Sequence, residues 1–188
     1  MTDHDLERIE PGARNLLVDC AGAIAGDHVL FVGEDADDPY FAPGLCNAVS
    51  KIANKLGMST EVVFAKPVAD VAEFPVAVRN AMSHADRTIF FSRLGDQVRF
   101  DMPRGLGKVV MTYTLDLEYL SAPFASASFT TMKRIHDALL SLILKSGTYR
   151  ISGACGTDLT SEIASGSSDA VADFALDLFP VMIFPPLI

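Results

Sequence analysis

The chain has 188 residues, 49% of them apolar and 21% charged, which suits one well-cored globular domain and argues against a disordered chain. Its net charge of -9, from 24 acidic and 15 basic side chains, creates a surface field that repels phosphate backbones and anionic headgroups, so neither nucleic acid nor a membrane is an expected partner. Cys20, Cys46 and Cys155 are odd in number and widely spaced, matching neither a disulfide framework nor a zinc site. Reduced thiols, a polar, acidic opening segment and the lack of a membrane-length apolar run predict a cytoplasmic location.

In chain order, the spacing of Leu16, Leu17, Cys20 and Ile24 predicts a helix from about Ile9 to Ala25, closed by Gly26. His28 to Gly33 is a short, almost wholly apolar run, as expected for a central strand buried on both faces. A second helix is expected from about Ala42–Gly44 to Gly57, a second strand at Glu61–Ala65, and a third helix from Phe74–Pro75 to about His84. Asp86–Phe91 and Lys108–Tyr113 read as two further strands, with the polar stretch Ser92–Gly107 between them as a loop or short hairpin. Met132, Ile135, Leu139, Leu142 and Ile143 place an amphipathic helix over Phe129–Lys145, followed by a last short strand at Tyr149–Ser152 and a turn at Gly153–Asp158.

This alternation predicts an α/β fold, a three-layer open, mostly parallel sheet with helices on both faces, Rossmann-like or flavodoxin-like. Residues 1–175 are expected to form a single domain. Residues 176–188 read as an apolar, proline-containing tail whose last ten residues, Phe179–Ile188, carry three prolines and no charge. Such a tail packs as an edge strand, or docks on a partner, or leads into a connection to a further, catalytic domain.

Two stretches are candidate sites. Glu34, Asp35, Asp37 and Asp38 follow the first predicted strand, where open α/β sheets place ligands, and clustered carboxylates suit a hard cation such as Mg²⁺. The competing reading is a solvated acidic loop, since consecutive carboxylates repel each other. The same turn lacks the glycines of a dinucleotide fingerprint, and the chain contains no P-loop. His4, His28, His84 and His136 form no metal-binding pair, Cys155 has no histidine beside it in sequence, and the serine-rich segments lack a nucleophile elbow, so no catalytic residue and no metal ligand is assigned.

The second candidate is the segment Gly153–Thr160, which follows a long helix and a strand and has Gly156-Thr157-Asp158-Leu159 at its centre. This segment resembles the N-terminal domain of M29-type (thermophilic) metallo-aminopeptidases, whose relatives include dihydroxypyridine dioxygenase-like proteins. Ala85–Ile89, Arg93–Phe100, Lys108–Thr114 and the passage Gly26–Leu30 are similar to segments of the same family, so the resemblance spans roughly Ala13 to Ile163. It implies a non-catalytic domain that walls an active-site cavity and supports dimerisation, with the divalent metal held by a second domain. The tail departs from the family in having neither a Pro-x-Glu nor an Asn-Gly, and no metal ligand falls on a residue of this sequence.

Within that reading Asp158 would line the cleft towards the second domain, the expected partner along with a second copy of the chain. On the residues alone, Gly156, Thr157 and Asp158 equally suit a tight turn whose side chains bond nearby amides. The alternative function is a stand-alone α/β module that binds a small molecule at its strand ends or acts as a regulatory subunit.

Overall fold

The structure, a computed structural model, describes residues 2–37, 39–98, 107–162 and 181–184. Its strands are β1 (His28–Glu34), β2 (Ser59–Ala65), β3 (Arg87–Phe91), β4 (Lys108–Thr112), β5 (Thr148–Ser152), β6 (Asp158–Glu162) and β7 (Val181–Phe184). Five of them form a parallel sheet in the order β2-β1-β3-β4-β7, and β5 and β6 pair antiparallel as a separate hairpin. The helices are α1 (Asp3–Arg14), α2 (Leu45–Lys55), α3 (Val76–Met82), α4 (Leu94–Val98), α5 (Leu117–Ser121), α6 (Pro123–Ser126) and α7 (Phe129–Lys145). This is the α/β fold expected from the sequence. Among the described residues no helix is long and apolar enough to cross a membrane.

Burial along the strands explains the layering. Every residue of β1 from Val29 to Glu34 is buried, as are Thr88–Phe91 in β3 and Val109–Thr112 in β4. Successive strand side chains point to opposite faces, so unbroken burial means that both faces are covered. β2, at one edge, is exposed or half-buried until Ala65, which is buried.

Several segments differ from their sequence reading. The first helix begins earlier, at Asp3, because Thr2 and Asp5 form a capping box in which each side chain accepts the other's backbone N–H. It then widens into a π-helical turn, Asn15–Cys20, which buries Leu16, Leu17 and Cys20. The helix ends at Ala21, so Ile24 does not share their face and is exposed. The stretch after β3 is not a plain loop: it opens as the short helix α4, while residues 99–106 lie outside the described residues.

The strand at Tyr149–Ser152 is not the last. Asp158 begins β6, so the Gly153–Asp158 turn is the tip of a hairpin. Of the three alternatives for the tail, residues 181–184 take the edge strand: β7 runs parallel to β4 from Val109↔Val181 to Thr112↔Phe184, and Phe184 is fully buried. The rest of that tail lies outside the described residues.

The helix α7 matches its expected span, Phe129–Lys145, and is anchored at one end. Asn15 in the π-helical turn is buried. Its amide donates to the carbonyls of Ala125 and Ala127, and its oxygen accepts the Phe129 N–H at 2.9 Å. Beyond Phe129 the apolar stripe Ile135, Leu139, Leu142 and Ile143 is exposed.

Candidate functional site

The order β2-β1-β3 fixes where a site can form. From β1 the chain moves to β2 on one side, and from β2 it returns across β1 to β3 on the other. The loops leaving β1 and β3 therefore diverge at their carboxyl ends and open a crevice, the usual ligand position in such sheets. Glu34 ends β1 at this point, and Ser92 and Arg93 follow β3.

Glu34 faces inward. Its side chain is fully buried and accepts the backbone N–H of Tyr40 at 2.9 Å and that of Arg93 at 3.0 Å. The Arg93 guanidinium closes on the same carboxylate, with Nη2 donating to Oε1 at 2.7 Å and Nε lying 3.1 Å from both oxygens. Arg93 also lies over the Tyr40 ring, 5.9 Å from its centroid. Burial pushes the Glu34 carboxyl up, but the Arg93 guanidinium and the two amides outweigh it and hold the group below its ordinary value. One carboxylate thus joins the end of β1, the β1–α2 loop and the β3–α4 turn.

The β1–α2 loop is held at two further points. Asp35 N–H donates to Ala65 O at 3.0 Å at the end of β2, and Ala42 N–H donates to Leu115 O at 2.7 Å beyond β4. Beneath the loop lies a cleft of about 190 Å³, lined by Gly33, Glu34, Asp35 and Ala36 from the β1 end, by Pro39 and Phe41–Cys46, and by Phe64 and Phe91. Gly33 makes room for it: a Cβ there would stand 2.5 Å from the Phe64 ring. The α2 N-terminus opens at the same place, with Gly44 at φ 88° and no side-chain cap. Burial drives the Cys46 thiol up to about 12, so this lining residue is a neutral wall and not a nucleophile.

The predicted acidic cluster is therefore divided. Glu34 is spent on Arg93, Asp35 and Asp37 are exposed, and Asp38 lies outside the described residues. No group of three or more His, Cys, Asp or Glu among the described residues is placed to hold a metal ion.

Thr157 and Asp158 belong to a different part of the molecule, the exposed β5–β6 hairpin, and do not line the cleft. Gly153 N–H donates to Thr157 O at 2.8 Å to close the turn. Instead of capping a nearby amide, the Asp158 carboxylate pairs in two-pronged fashion with Arg150 across the hairpin, at 2.7 and 2.8 Å. Arg150 pulls the Asp158 carboxyl below its ordinary value.

Sequence reasoning did not single out Arg93, Tyr40 or Phe64 as site residues. The signal for Arg93 is its place just after a buried strand, but only the adjacency of β1 and β3 brings it to Glu34. No protein-family model and no curated protein matches this chain.

Proposed function

We propose that the chain serves as the non-catalytic N-terminal half of an M29-like metallo-aminopeptidase. In this role it walls the active-site cavity and supports dimerisation, while a second domain holds the divalent metal and docks on α7 and the β5–β6 hairpin. The observation that carries the reading is the apolar side of this arm. The cross-strand register places Tyr149, Ile151 and Leu159 on one face of the hairpin, with Arg150, Asp158 and Thr160 on the other. That apolar face and the α7 stripe of Ile135, Leu139, Leu142 and Ile143 are all exposed.

A two-stranded hairpin is marginal alone, and an exposed apolar surface of this extent marks an interaction site. The resemblance of Gly156-Thr157-Asp158-Leu159, at the hairpin tip, to the family's segment supplies the identity of the missing surface. A second reading, a stand-alone small-molecule module, is favoured by the cleft beside Glu34.

The test uses a double variant, Leu139→Ser with Ile151→Ser. If the arm is an interdomain face, the variant keeps the wild-type Tm, and light scattering shows less self-association than for the wild-type chain. A Tm loss like that of a core truncation would place the stripe in this chain's own core and end the reading. The division of labour is tested by dialysing the wild-type chain against Zn²⁺ or Co²⁺, with no stoichiometric metal and no aminopeptidase turnover as the expected result. Retained metal with turnover overturns it.

A further inference from the structure

The switch-point cleft has a size, a lining and a field that together limit what fits it. Its volume of about 190 Å³ is slightly above the ~150 Å³ of an apolar cavity that takes up benzene, and below the roughly 300–1,000 Å³ of sites for drug-sized molecules. One six-membered ring with a small substituent fills such a space. The walls are mainly apolar, with Phe41, Leu45, Phe91, Pro39 and Pro43 among them. Phe64, whose ring lies against Gly33, is 50% exposed and offers an open aromatic surface at the cleft.

Charges of both signs lie at the cleft. Arg93 meets the charge of Glu34. Asp35 adds a negative charge to the lining, and the uncapped N-terminus of α2 opposes it with a positive partial charge. An anion is opposed by Asp35 and a cation by the helix N-terminus, whereas an uncharged ring is penalised by neither.

We propose that this cleft binds an uncharged, single-ring planar molecule stacked on Phe64. The inference stands apart from the interdomain reading, since none of its residues belongs to α7 or the hairpin. It is tested by titrating the full ¹⁵N-labelled chain with phenol, benzoate or benzylamine and following the amides of Gly33, Ala36 and Gly44. Phenol, neutral at pH 7, is expected to give a saturable shift with a Kd of about 1 mM or tighter, and each charged probe to bind about tenfold more weakly. Phe64→Ala, at a half-exposed position, is expected to keep the wild-type Tm and weaken phenol about tenfold. Leu139→Ser, outside the cleft, is expected to leave phenol binding unchanged. No saturable shift with phenol up to about 10 mM, a charged probe binding more tightly than phenol, or undiminished binding in Phe64→Ala overturns the proposal.

Discussion

Two regions of this chain are rich in apolar residues and treat them in opposite ways. In β1, β3 and β4 nearly every side chain is buried, and Phe31, Phe90, Phe91 and Ile89 are among the largest wholly enclosed ones. In α7 and the hairpin the apolar residues also gather on one face, yet Ile135, Leu139, Leu142, Ile151 and Leu159 are exposed. Periodicity reports which face of an element is apolar, and burial requires a second surface to meet that face. The sheet has such surfaces on both sides. The arm is tied to the domain at its root, through Asn15 and Phe129, and its apolar face has no cover within the described residues.

The contrast is broken most directly at Phe184, which joins the proline-containing tail to the sheet. Phe184→Ala removes a fully buried ring and is expected to cost about 3–5 kcal/mol in denaturant unfolding, the usual range for such a truncation. A loss below about 1 kcal/mol would mean that β7 leans on the sheet without belonging to its core, closer to the arm in kind.

Next in size is Glu34→Gln, which replaces the charged partner of Arg93 and is expected to cost about 2 kcal/mol, less than a wholly buried pair because Arg93 is half-exposed. The native carboxyl titrates below the ordinary 4.5. Its contribution is therefore complete above that pH and is lost as the pH falls through the lower folded-state value. The stability difference between the native chain and Glu34→Gln should accordingly shrink as the medium is made more acidic than about 4.5. A difference that stays constant with pH would remove the ion pair from the account of the switch point.

The smallest effect belongs to the arm. Asp158→Asn breaks the two-pronged contact with Arg150, but both groups are solvent-exposed and water screens them. No change in Tm is expected by calorimetry. A clear drop would show that the hairpin contributes to the cooperative unit and would blur the distinction between the two regions.

Much of the architecture was legible in the residues. The run His28–Gly33 is nearly all apolar, which suits a strand with both faces covered, and the apolar stripe between Phe129 and Lys145 placed α7 at its observed bounds. Other elements were obscured. The capping pair Thr2 and Asp5 lies in a segment that composition alone marks as polar, and the helix ends at Ala21, before it reaches Ile24. The alternation in Asp158–Glu162 is short and mostly polar, which hid β6 until its pairing with β5 was seen.

The candidate site divides along the same line. Local sequence determined that an acidic turn follows a buried strand and that the chain turns between Gly153 and Asp158, because both depend on neighbours within a few residues. Only the tertiary structure decided that Glu34 turns inward to Arg93, 59 residues away, while Asp35 and Asp37 stay in solvent. Strand order brings those two residues together, and strand order is set by which apolar faces cover one another across the sheet. No window of sequence contains that information.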